Sequence, residues 1–252
     1  MARSNLIYGR NPILEALRSG QTVDKIFIQQ RLSGDEITEI IHLAREQSVP
    51  VQKVPPEKIQ RLTFKGGQQI NHQGVAAFLS LIRYYEIEDI VQQCFDKGVN
   101  PLIVVLDGVT DVRNFGAIAR SAECFGAHAL VVPSRGSAQI NPEAMKASAG
   151  ALNRIPVCRV NQVEDAYQSL RLNGLQIYAS SLQGDSSISD CDFTLPAAIV
   201  MGAEESGIGQ GTIRAADKLF NIPMLGETDS LNVSVAAGVI LYEVTRQRAV
   251  AD

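Results

Sequence analysis

With 252 residues, 45% hydrophobic and 20% charged, and a formal net charge of −4, the chain can bury one or two real cores and is too apolar for long disorder. Its longest apolar runs, such as Val233 to Tyr242, are too short to cross a bilayer, and Arg3 and Arg10 flank a polar stretch without a signal-peptide core. A membrane or exported protein is thereby excluded, and a soluble, cytoplasmic one is expected.

The four cysteines (Cys94, Cys124, Cys158, Cys191) form no CxxC pair, and the three histidines (His42, His72, His128) are scattered. No metal site is expected, and the thiols read as reduced. Residues 1–80 hold 10 Lys+Arg against 7 Asp+Glu, whereas the remaining 172 hold 13 against 20. A basic front end on an acidic body fits a polyanion-docking module on a second domain, although +3 over 80 residues also suits an inert surface.

In chain order, Asn11-Pro12 reads as the N-cap and first residue of a helix with Ile13, Leu14 and Leu17 on its apolar face, stopped at Gly20. A strand is predicted over 25–29, an amphipathic helix over 35–47, a strand over 49–54, a short helix from Pro55-Pro56 and a closing strand over 75–81. Lys65 to Gln69 reads as a mobile loop. A helix over 83–100 bridges to the second domain. Strands are then predicted over 102–106, 129–132, 176–180, 197–201 and 218–222, alternating with helices near 115–125, 142–150, 162–173, 208–216 and 233–247. Short, nearly all-apolar strands separated by helices indicate a parallel sheet covered on both faces.

Three segments could carry chemistry. The first, Asp107 to Ala122, follows a strand and includes Asn114, Gly116 and Arg120. Loops at the carboxyl ends of parallel strands are where open α/β sheets place their ligands. Asn114 is placed to cap the helix, Gly116 to admit another backbone, and Arg120 to aim its donors at the loop; a capped helix with an ordinary surface arginine is the plainer alternative. The second, Met201-Gly202-Ala203-Glu204-Glu205-Ser206-Gly207, again runs from strand to glycine-bearing loop. Neither GxGxxG nor GxxxxGK[ST] is present, which disfavours a dinucleotide fold or a P-loop. Glu204 suggests a polar pocket, or simply a carboxylate favoured at a helix start. The third runs from Ile222-Pro223-Met224 through Ser230-Leu231-Asn232-Val233-Ser234 into Ala236-Ala237-Gly238. Close packing explains the small residues but not Asn232 and Ser234 at the loop–helix junction.

Together these segments resemble the N-x-G-x-x-x-R, G-x-E-x-x-G and I-P-M…S-L-N-V-S-x-A motifs of the SpoU (TrmH) class of SPOUT RNA ribose methyltransferases, in that order. Lys146-x-Ser148-Ala149-Gly150-Ala151 is similar to the class, and Tyr8-Gly9-x-Asn11-Pro12 and His72-Gln73-Gly74-Val75 resemble its substrate-binding domain. One departure is Val112, where many relatives carry Pro after the Asp, a change that bears on loop rigidity. The resemblance implies a small α/β, ribosomal-protein-like RNA-binding domain (1–81), a linker helix (82–100) and a SPOUT α/β-knot (101–252), a deep trefoil knot of mostly parallel sheet with helices on both faces.

By the same resemblance, S-adenosylmethionine rests on Met201, Gly202, Ile222, Met224 and Leu231. The resemblance assigns Arg120 to the reacting hydroxyl, in some members as the base itself. Because an arginine side chain offers donors and no acceptor, the role read here is to bind the adjacent phosphate and stabilise alkoxide charge. Asn114 positions Arg120 or the ribose, Glu204 orders the pocket, and Asn232 and Ser234 hold loop and substrate. The implied partners are RNA and a second copy of the chain, with helices 114–125 and 232–248 in contact, and no metal. The preferred substrate is a guanosine of large-subunit ribosomal RNA, with transfer RNA as the alternative. A non-catalytic ribosome assembly factor, or a small-molecule nucleotide enzyme, are the readings of a different class.

Overall fold

Residues 5–64, 70–228 and 230–251 are described by the computed structural model, in which the chain divides into two units, Met1–Arg83 and Tyr84–Asp252. In the first unit, β1 (Leu6–Tyr8), α1 (Arg10–Arg18), β2 (Val23–Gln29), α2 (Asp35–Glu46), β3 (Val51–Val54), α3 (Pro56–Thr63) and β4 (Val75–Leu79) follow in order. The sheet runs β1-β4-β2-β3, with β4 antiparallel to both neighbours and β3 parallel to β2. Strand alternation sends Ile26, Ile28, Val75 and Ala77 into a core under α1 and α2. Phe27, Val54 and Ala76 go to the other face, against Ile59 of α3.

One expectation changes here. The first helix starts at Arg10, not after an Asn11 cap, because the Gln73 side-chain oxygen accepts the Arg10 backbone N–H at 3.0 Å. The expected loop Lys65 to Gln69 lies outside the described residues.

The second unit is an all-parallel eight-stranded sheet in the order β10-β12-β9-β11-β6-β7-β8-β5. Its elements are β5 (Tyr84–Tyr85), α4 (Ile87–Asp96), β6 (Leu102–Asp107), α5 (Val112–Cys124), β7 (Ala129–Pro133), α6 (Pro142–Ala147), β8 (Val157–Val160), α7 (Val163–Leu172), β9 (Gln176–Ser180), β10 (Ser186–Ser187), β11 (Ala197–Gly202), α8 (Gln210–Ala215), β12 (Lys218–Asn221) and α9 (Val233–Ala251). One face packs Ile103, Val105, Ala198 and Val200 against α4 and α7. On the opposite side α5 and α9 lie against each other, and their Phe115, Ile118, Ile240 and Leu241 are fully buried.

Of residues 82–100, expected as a linker helix, those from Tyr84 onward belong to this unit instead. Tyr84–Tyr85 pairs with β8 at the sheet edge, and Ile87, Ile90 and Val91 of α4 fill the core beside α7. The apolar stripe at i, i+3, i+4 is a core-facing stripe, which burial against the sheet satisfies better than solvent would. Among the described residues no helix is long and apolar enough to cross a membrane.

Candidate active site

Strand β11 lies between β6 and β9, so the loops leaving the carboxyl ends of β6, β9, β11 and β12 converge at one sheet edge. The loops after β9, β11 and β12 enclose a cleft of about 420 Å³ whose walls include Met201, Gly202, Ile222, Met224 and Leu231, all five residues expected to hold a cofactor. Ser180 to Gln183, which sequence reasoning missed, form the opposite wall. That loop sits tight because Gly184 faces the Phe220 backbone, which a Cβ would meet at 2.6 Å, and because Asn221 Nδ2 donates to Gly184 O at 2.7 Å.

The loop after β11 doubles back at once. Ala203 and Gly207 exchange two backbone hydrogen bonds of 2.9 Å, with Gly207 at φ +67°. A Cβ on Gly202 would stand 2.2 Å from the Gly207 carbonyl carbon, so only glycine admits this turn. The far end of the loop is pinned from beneath. Asp107 Oδ2 accepts from Gly209 N (2.8 Å) and from Thr212 Oγ1 (2.6 Å), and the Thr212 hydroxyl, its one proton committed, accepts from Tyr167 Oη at 2.7 Å. Thr212 and Tyr167 are buried, and burial first, then the nearby carboxylates of Asp107 and Glu164, pushes the tyrosine well above its ordinary range, so it is a permanent donor. An aspartate ending an otherwise apolar strand was the available signal for this network.

The residues of the three motifs meet at the cleft's rim. Asn114 Nδ2 donates to Glu204 Oε2 (3.0 Å), and Asn232 Nδ2 donates to both Asn114 Oδ1 (3.1 Å) and Glu204 Oε1 (3.2 Å). Ser234 donates to Asn232 Oδ1 twice, from its backbone N (3.0 Å) and its Oγ (2.6 Å). The two Ser234 donors fix which end of the Asn232 amide is oxygen, and that turns its NH₂ toward Glu204. Asn232 thereby also caps α9, so helix start and site share one side chain. Asn114 is not the expected cap of α5. Asp111 takes that place, accepting from the backbone of Arg113 (2.9 Å) and Asn114 (2.8 Å), which leaves the Asn114 amide for Glu204.

Arg120 is the candidate the fold does not bring to this cluster. It is exposed on α5 and makes no hydrogen bond or ion pair among the described residues. Gly116, by contrast, does what its small size suggested. A Cβ there would meet Ala147 Cβ at 2.5 Å and Ala144 O at 2.8 Å, so α5 lies directly on α6 and the turn after it.

This fold and cluster define an α/β enzyme with its ligand cleft at the carboxyl edge of a parallel sheet. Residues 101–242 match the SpoU rRNA Methylase family, and residues 6–85 match the RNA 2′-O ribose methyltransferase substrate-binding domain. A Staphylococcus saprophyticus relative assigned to the TrmH family of tRNA/rRNA methyltransferases is 35% identical, over 96% of each chain. The SpoU methyltransferase AviRb from Streptomyces viridochromogenes, solved in complex with the cofactor AdoMet, is 28% identical with a TM-score of 0.60, covering 97% of this chain and 90% of its own. An AdoMet-bound rRNA methyltransferase from Sinorhizobium meliloti is 26% identical with a TM-score of 0.58, covering 96% and 86%. The chain belongs to the SpoU/TrmH family of RNA 2′-O-ribose methyltransferases, with an N-terminal substrate-binding domain ahead of the knotted SPOUT catalytic fold.

Proposed function

We propose that this protein methylates the ribose 2′-hydroxyl of a guanosine in large-subunit ribosomal RNA, with S-adenosylmethionine as the donor. The observation that carries the reading is the Asn114–Glu204–Asn232–Ser234 cluster at the rim of a cleft of cofactor size. The cleft's volume lies within the range of roughly 300–1,000 Å³ usual for small-molecule sites, and its walls combine apolar side chains with glycines and polar residues, which suits an adenosine. Met201, Gly202, Ile222, Met224 and Leu231 would hold it.

When bound, the cofactor supplies a methyl group on a positively charged sulfur. The protein's own part is positioning and charge. Glu204, with each carboxylate oxygen engaged by an amide, is a fixed anion that orders the rim. Asn114 orients the ribose, and Asn232 with Ser234 holds the loop that closes over it. Arg120 serves as an electrostatic clamp on the RNA phosphate and the developing alkoxide, not as the base, because a guanidinium offers a fixed fork of donors and no acceptor. Its exposure, and its side chain's lack of a partner among the described residues, suit a group reserved for RNA. A homodimer through α5 and α9 is part of this reading.

Ribosomal RNA is preferred because the substrate-binding module precedes the catalytic unit, and the full-length likeness to an rRNA methyltransferase supports it. The test is to incubate the protein with methyl-labelled S-adenosylmethionine and unmodified large-subunit ribosomal RNA, then map protection from alkaline cleavage. One protected guanosine is the expected result. Label on transfer RNA alone would keep the chemistry and change the substrate. Cofactor binding with no label on any RNA would favour the assembly-factor reading.

A further inference from the structure

The sheet of the first unit sorts its charge between its two faces. On one face, α1 and α2 carry Glu15, Asp35, Glu36, Glu39 and Glu46 against Arg10, Arg18 and Arg45. Arg10 pairs with Glu36 at 2.9 Å and Arg18 with Glu39, so that face largely neutralises itself. On the other face, Lys25 of β2 joins Lys58 and Arg61 of α3, with Glu57 the one carboxylate on that helix. Among the described residues Lys58 and Arg61 form no ion pair. Both lysine ammonium groups converge on one ring, Nζ of Lys25 at 5.3 Å and Nζ of Lys58 at 5.4 Å from the centre of Phe27. The electron-rich ring attracts each ammonium group.

Aromatic residues continue this face across the strands. The registers Leu6↔Phe78↔Lys25 and Tyr8↔Ala76↔Phe27 put Tyr8, Phe78, Phe27 and Lys25 on the same side of the sheet. Phe78 meets Phe27 edge to face at 6.1 Å, Tyr8 is 36% exposed, and Phe64, just past the end of α3, is 61% exposed. Burying exposed aromatics beside cations such as Lys58 and Arg61 is what single-stranded RNA does. Its bases stack on rings while its phosphates meet ammonium groups.

We propose that the β1-β4-β2 face beside α3 is the RNA-docking platform of this protein, with Lys25, Lys58 and Arg61 on phosphates and Tyr8 and Phe64 stacking unpaired bases. The proposal rests on the RNA-methyltransferase reading and says which surface of the substrate-binding domain grips a looped, single-stranded part of the substrate.

The test measures binding of full-length protein to an unmodified large-subunit ribosomal RNA transcript across a salt series, with S-adenosylmethionine binding measured in parallel by calorimetry. Lys25→Glu/Lys58→Glu weakens RNA binding on the order of tenfold or more at low salt and lowers the salt slope by about one unit per lysine. Tyr8→Ala weakens it by roughly fivefold to a hundredfold without changing that slope. Cofactor binding stays as in the wild type. The single variant Lys58→Glu, on an exposed helix surface, guards against misfolding of the pair, and Arg45→Glu on the opposite face is the control. RNA affinity of the lysine variants within twofold of wild type, or an equal loss in Arg45→Glu, would overturn the platform while leaving the enzyme reading intact. A wild-type protein that binds cofactor but no RNA would overturn both.

Discussion

At the scale of single residues, the rim cluster explains why four polar side chains from three distant segments recur as motif positions. Each hydrogen-bonding group in it has one arrangement that satisfies its neighbours, so the cluster is preorganised before substrate arrives. Asn232→Ala removes the α9 cap and both amide donors to the rim. We expect a stability loss of about 1 kcal/mol from the cap together with a much larger fall in kcat, checked by thermal melts beside single-turnover methylation. Glu204→Gln keeps the size but places an NH₂ where an acceptor is required, and it should behave like Asn232→Ala in rate while melting like wild type. Arg120→Ala separates the remaining role. If the exposed guanidinium stabilises charge on the RNA, methyl transfer falls on the order of 10²–10³-fold while RNA stays bound. Near-normal turnover would remove Arg120 from the mechanism. Asn114, Glu204 and Asn232 could be picked out from the sequence as candidates because they stand in motif spacing. Their partnership could not, since bonds spanning 90 and 118 residues depend on which strands become neighbours.

At the scale of elements, the sequence displayed the long apolar strands and two short ones, β3 and β12, and hid the other short strands. β6, β7, β9 and β11 are nearly continuous apolar runs and stand where the pattern put them. β1, β5, β8 and β10 have four residues or fewer, and β10 is Ser-Ser, so tertiary pairing makes the strand where local propensity does not. The start of β6 shows how such placement is held. Arg248 of α9 donates to the carbonyls of Phe193 (2.9 Å), Asn100 (2.6 Å), Pro101 (3.1 Å) and Leu195 (3.0 Å), tying the last helix to the entrance of the first central strand. Arg248→Ala strands those carbonyls and should cost about 2–3 kcal/mol, read by denaturant unfolding. Beside it, His128 Nδ1 accepts the Leu102 backbone N–H at 3.0 Å. Burial, then the positive charge of Arg248, holds this imidazole below its ordinary pKa. The folded protein therefore refuses a proton that the unfolded chain takes up near pH 6.5, and stability is full above that value and declines as pH falls beneath it. His128→Gln should flatten this part of the pH–stability curve; an unchanged slope between pH 6.5 and 5 would show that other groups set it.

For the molecule as a whole, α9 presents an apolar stripe that the described residues of its own unit leave exposed. Val235 is 53% exposed, Val239 40% and Tyr242 59%, at i, i+4 and i+7 on one helix face, with Tyr242 edge to face against Phe125 at 6.4 Å just past the end of α5. Scattered exposed apolar residues mean little, but three in line next to the helix that carries Asn114 and Arg120 form a contiguous patch of the kind that self-association buries. A two-fold pairing through α5 and α9 would bring the exposed Arg120 of each protomer to the shared interface. Such an arrangement would give that residue a reason to stand outside its own chain's cluster. Sedimentation of the wild-type protein at micromolar concentration should therefore report a dimer. Tyr242→Glu, which introduces a charge into the stripe without touching the buried side of α9, should shift the protein to monomer. If the active site needs the interface, methylation falls with dimer content while cofactor affinity changes little. A monomer that methylates at the full rate would make the stripe irrelevant to catalysis and put Arg120 back to work within its own protomer.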